Sequence, residues 1–176
     1  MRIVVTTSNA YLHLIPVFTY LFNKYWSGEQ EVTIVGYDIP KRELPKNFTF
    51  HSLGTQGDVS EWSTDLRKYF ESIPDKWLIW LMEDAIIKEP IKEWRLNQLL
   101  TYTHKEVGRI DLTNDLVKRK HSPAKFLNSD KNEIFKADKK TNYRQSTQPS
   151  VWNRDFLLKY LSKKSFDQID GCVDCR

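Results

Sequence analysis

A chain of 176 residues, 40% apolar, 28% charged and 13% aromatic, is long enough to bury about 70% of its unfolded surface without a disulfide or metal staple. That composition excludes a disordered chain, a collagen-like repeat and a low-complexity scaffold. The formal net charge is +4, but residues 116–144 carry nine basic and three acidic side chains, so the rest of the chain is slightly acidic. A basic loop on a near-neutral body fits an anionic partner, and equally a solvated surface segment. No apolar run reaches the roughly 20 residues of a membrane span. Met1–Thr7 is too short and too strand-like for a signal peptide. The two cysteines, Cys172 and Cys175, make no disulfide framework and lack the further ligands zinc needs. A reducing cytoplasmic setting is the expectation.

The elements follow in chain order. Ile3-Val4-Val5 opens a strand that ends in Thr6-Thr7-Ser8-Asn9. Phe18, Leu21, Phe22 and Tyr25 fall on one stripe of a helix, with Pro16 in its first turn and Ser27-Gly28 at its end. Glu31–Tyr37 and Phe48–Leu53 read as two further strands, the first leading into Asp38 and the second stopped by Gly54. Trp62, Leu66, Tyr69, Phe70 and Ile73 make a second helical stripe. Trp77–Met82 is apolar on both faces, the mark of a central strand buried on both sides. Ile91–Lys105 reads as a helix with Trp94, Leu96, Leu99 and Leu100 turned inward. Val107–Leu112 is a fifth strand, the basic segment a loop, Ser146–Val151 extended, and Arg154–Lys163 a closing helix. Strands alternating with helices predict an α/β fold, a sandwich around a mostly parallel sheet, in one domain over residues 1–176.

Two adjacent acids, Glu83 and Asp84, follow the buried strand directly. In open α/β sheets the ligand crevice lies at the carboxyl ends of the strands. Carboxylates there suit a divalent cation that bridges the protein to a diphosphate; the plainer alternative is a hydrated turn. Thr6, Thr7, Ser8 and Asn9 can cap a helix or contact a ligand at the same edge. No Gly-x-Gly-x-x-Gly and no Gly-x-x-x-x-Gly-Lys-Ser/Thr is present, which disfavours a dinucleotide fold and a P-loop.

Three stretches together resemble the GT-A-fold glycosyltransferases, in particular small transferase-like proteins of bacterial polysaccharide gene clusters and phages. They are Thr6–Tyr11 with Leu14-Ile15-Pro16 and Lys24-Tyr25-Trp26; Trp62–Leu66 through Trp77–Ile87; and Ile110–Thr113 with Ser146–Trp152 and Asp155–Leu158. The resemblance implies a three-layer GT-A-like (nucleotide-diphospho-sugar transferase type) sandwich and transfer of a sugar from a nucleotide-sugar, a UDP-sugar foremost, to a glycan or other hydroxyl acceptor. It implies Mn²⁺ or Mg²⁺ on Glu83 and Asp84, and donor contacts from Thr6, Thr7, Ser8, Asn9, Asp38 and Trp62. Asp111, Asp167 and Asp170 are its candidates for the base. Here the family's C-terminal part is short, as if truncated, over Ser165–Arg176. The alternatives are an inactive GT-A-like binding protein and a transferase acting on modified phage DNA. The sparse aromatics of the basic loop do not favour nucleic acid as partner.

Overall fold

The computed structural model describes residues 1–104, 106–113, 124–126, 135–137 and 146–161. Its strands are β1 (Arg2–Thr6), β2 (Val32–Gly36), β3 (Phe48–Ser52), β4 (Trp77–Met82), β5 (Arg109–Asp111), β6 (Ala124–Phe126), β7 (Phe135–Ala137) and β8 (Ser150–Asn153). The α-helices are α1 (Ile15–Tyr25), α2 (Trp62–Ser72), α3 (Glu93–Leu100) and α4 (Arg154–Tyr160). Short 3-10 turns at Asn9–Leu14 and Val59–Glu61 lead into α1 and α2.

Six strands form one sheet in the order β3-β2-β1-β4-β8-β5. β1 pairs in parallel with β2 and β4, and β2 with β3. β8 runs antiparallel to both β4 and β5, so β5 points the same way as β4. The carboxyl ends of β1, β2, β3, β4 and β5 therefore share one edge of the sheet.

Alternation of side chains along each strand sorts the core into two faces. Ile3, Val5, Ile34, Ile79, Leu81 and Val151 meet Ile15, Phe18 and Phe22 of α1 on one face, with Leu96 and Leu100 of α3 beside them. Val4, Val35, Leu78, Trp80 and Trp152 meet Leu66, Tyr69 and Phe70 of α2 and Leu157 of α4 on the other. These are three layers around a mostly parallel sheet, as expected. β4 lies in the middle, which is why its run of apolar residues shows no alternation. Each such side chain fully withdrawn from water contributes about 1.5–3 kcal/mol. The helix ends are tied locally and across layers. Asp58 accepts from the Ser60 amide before α2, and Asn153 accepts from the Phe156 amide at the start of α4. Arg67 of α2 donates to the carbonyls of Leu158 and Leu161, which close α4.

Three expectations are corrected. The third helix is shorter than Ile91–Lys105, because the hydroxyls of Thr101 and Thr103 donate to the Gln98 and Leu100 carbonyls, both at 2.7 Å, and close its last turn. Trp94 is not inward but 61% exposed. It precedes Leu96 by two positions, about 200° around a helix, so the face that packs Leu96 and Leu100 against the core turns Trp94 outward. The basic segment is not loop throughout. β6 and β7 within it pair antiparallel, Ala124 opposite Ala137 and Phe126 opposite Phe135.

Candidate functional site

β4 delivers Glu83 and Asp84 to the shared carboxyl edge, one step beyond the level at which Met82 is registered with Thr6 of β1. The chain turns at once, with the Ala85 amide donating to the Met82 carbonyl and the Ile86 amide to that of Asp84. This turn separates the two acids. Glu83 is 2% exposed, whereas Asp84 stands in solvent. Glu83 Oε2 finds no hydrogen-bond partner among the described residues. Burial pushes the Glu83 carboxyl up to about 7; a hydrogen bond from its own backbone opposes this, and the Asp84 charge adds to it. Carboxylates are hard, oxygen-only donors, the class that Mg²⁺ and Mn²⁺ take when phosphate oxygens complete the shell. Among the described residues, no group of three or more His, Cys, Asp or Glu side chains is gathered to hold a metal by protein ligands alone.

The polar residues after β1 divide in the same way. Thr6 is 2% exposed, and its hydroxyl accepts from the Trp80 indole nitrogen at 2.9 Å. Thr7 is buried as well. Its amide continues the ladder to the Val35 carbonyl, and its methyl fills the space where a side chain on Gly36 would stand. Both threonines join β1 to its neighbours. Ser8 and Asn9 keep partial access to solvent. Asn9 joins three loops: its amide donates to Gln56 Oε1 at 3.0 Å, and its Oδ1 accepts from the Asp38 amide at 3.0 Å. Asp38 itself is exposed. Trp62 packs against the core on the α2 face, its ring 6.4 Å from that of Trp80.

Asp111 ends β5, level with Ser150 of β8 and, one strand further, Trp80 of β4. Its Oδ1 accepts from both the amide and the hydroxyl of Thr113, at 2.8 and 2.7 Å, and its Oδ2 from Arg109 at 3.1 Å. The Arg109 side chain is only 6% exposed, lies over the Trp152 ring at 5.3 Å and also donates to Ser146. Both oxygens of Asp111 are thus engaged in holding the β5–β8 corner. Asp167, Asp170, Cys172, Cys175 and most of the basic segment lie outside the described residues.

Two cavities of about 270 and 230 Å³ lie elsewhere. One sits between α2 and the end of β3, bordered by His51, Asp65, Lys68 and Tyr69. The other sits between α3, β1 and the segment that follows α1, bordered by Trp26, Ile79, Leu96 and Leu100. Neither is lined by Glu83, Asp84, Asn9 or Asp38. Among the described residues, no helix is long and apolar enough to cross a membrane.

Gln56 and Arg109 were not singled out from the sequence. Arg109 and Asp111 are two apart on a strand, a spacing that puts both side chains on one face, and this would have found the pair. Gln56 lies in Gly54-Thr55-Gln56-Gly57, with no local signal.

No family model and no curated protein matches this chain. Solved structures similar to it include the bifunctional IspDF from Campylobacter jejuni, at 13% identity and a TM-score of 0.46 over 93% of this chain and 43% of that one. The WbbM bifunctional glycosyltransferase is similar at 9% identity and a TM-score of 0.49, over 90% of this chain and 32% of that one. The galactosyltransferase LgtC, solved with donor and acceptor sugar analogues, is similar at 10% identity and a TM-score of 0.45, over 90% of this chain and 60% of that one. The chain spans less than two thirds of each of these structures. With TM-scores short of one half, these likenesses assign it neither family nor activity.

Proposed function

We propose that this chain binds a nucleotide-sugar at the carboxyl edge of its sheet and transfers the sugar to a hydroxyl acceptor. The observation that carries the reading is the pair of acids ending β4. One is buried with an unpaired oxygen and the other exposed, at the edge where five strands end. An ionisable group in that position is costly to keep unless a cation or donor uses it. Glu83 and Asp84 would hold Mn²⁺ or Mg²⁺, which when bound neutralises the diphosphate leaving group. Asp38 accepts hydrogen bonds from the nucleoside part, and Asn9 donates to it. Thr6 and Thr7 are buried at the end of β1, from which that rim springs, and Trp62 packs beside Trp80, the partner of Thr6. The acceptor's proton passes to a carboxylate; Asp111, Asp167 and Asp170 are the candidates, and both oxygens of Asp111 are already engaged by Arg109 and Thr113.

The test is a thermal shift with UDP, GDP and CDP, with and without Mn²⁺. A nucleotide at about 100 times its Kd stabilises by roughly 2.7 kcal/mol. Asp84→Asn should lose the Mn²⁺-dependent part of that shift with the unliganded melting temperature unchanged, because the side chain is exposed. A full Mn²⁺-dependent shift in Asp84→Asn overturns the cation assignment. No shift with any nucleotide leaves a GT-A-like scaffold that does not bind a donor.

A further inference from the structure

Three successive loops leave the carboxyl ends of β1, β2 and β3, and one residue ties them. Asn9, the first residue of the 3-10 turn after β1, donates its amide to Gln56 Oε1 and accepts the Asp38 amide on its own Oδ1. These partners are 47 and 29 positions away in sequence. The orientation of the Asn9 side chain follows, since the Asp38 N–H requires an acceptor. Its Nδ2 is then a donor with no partner among the described residues, and the Asp38 carboxylate is an exposed acceptor on the same joined unit. The loop carrying Gln56 is itself fixed at its start. Gly54 takes φ +95, open to glycine at little cost, and its amide donates to Ser52 Oγ, which in turn donates to the Tyr37 carbonyl.

A rim that offers both a donor and a carboxylate matches the hydroxyls and base edges of a nucleoside, which present donors and acceptors together. It does not match a bare pyrophosphate, which presents acceptors only and is repelled by the Asp38 charge. We infer that Gln56 is a positioning residue for the nucleoside end of the donor: it holds the Asn9 main chain and, through Asn9, the Asp38 loop. This rests on the donor-binding reading above. Gln56 carries no charge and is not required to touch the diphosphate, so its removal acts on one part of the ligand only.

The experiment compares calorimetric affinities of wild type and Gln56→Leu for UDP, GDP and CDP, and for inorganic pyrophosphate, all with Mn²⁺. Loss of one neutral hydrogen bond that orients the rim is expected to weaken the nucleoside diphosphate about three- to tenfold and to leave pyrophosphate unchanged. Hydrogen exchange at the Asn9 amide should quicken in the variant. Gln56→Ala serves in its place if the leucine variant does not fold. Equal weakening of both ligands, or no weakening of either, overturns the positioning role and leaves the donor reading standing. A wild-type chain that binds pyrophosphate but no nucleoside diphosphate overturns both.

Discussion

Glu83 makes the stability of this protein depend on pH in a direction opposite to that of most carboxylates. Its carboxyl is pushed from 4.5 to about 7 in the fold, chiefly by burial. Between those two values the folded state holds the proton that the unfolded state has released, so stability falls as pH rises across that window and is level above it. The penalty of ionising Glu83 works out at about 1 kcal/mol at pH 5 and about 3 kcal/mol at pH 8. Glu83→Gln keeps the shape and removes the charge. Urea unfolding of both proteins at pH 5 and pH 8 should therefore show the variant gaining about 2 kcal/mol on the wild type over that interval. Mn²⁺ should reverse the comparison at pH 8, since a cation on the ionised carboxylate stabilises the wild type alone. A difference between the two proteins that does not change from pH 5 to pH 8 would refute the buried-acid account. A Mn²⁺ effect equal in both would refute the use assigned to it.

Two substitutions probe the packing that carries the site. Trp80 is 4% exposed, lies 5.7 Å from the Phe70 ring and 6.3 Å from that of Trp152, and donates to Thr6. Trp80→Ala should cost about 3–5 kcal/mol in denaturant unfolding, and a loss below about 1 kcal/mol would show that the sheet does not depend on this ring. At Gly108, just before β5, a β-carbon would overlap the Phe156 ring, so the chain comes this close to α4 only because the side chain is absent. Gly108→Ala should lower stability by about 1–3 kcal/mol, read as a fall in melting temperature, and an unchanged melting temperature would mean the ring moves aside freely.

The outward turn of Trp94 and the bond of Gln56 to Asn9 escape the sequence for different reasons. A large apolar residue near a helical stripe reads as buried, and only the packing of Leu96 and Leu100 on the sheet fixes which side of α3 faces in. Gln56 was invisible because its partner is 47 residues away and its neighbours form no pattern. The β6–β7 pair was hidden for a related reason, since strands of three residues are too short for periodicity to register.

Taken alone, the residues determined the alternation of strands and helices, the central place of Trp77–Met82 and the position of two acids at its end. Each of these is written in neighbouring side chains, through a local period of 2 or 3.6 or through an uninterrupted apolar run. The strand order, the reversed direction of β8, the burial of Glu83 beside an exposed Asp84, and the joining of Asn9, Asp38 and Gln56 were decided only in three dimensions. Those features depend on which distant segments come to lie side by side, and the free energy that selects them is burial shared across the whole sheet.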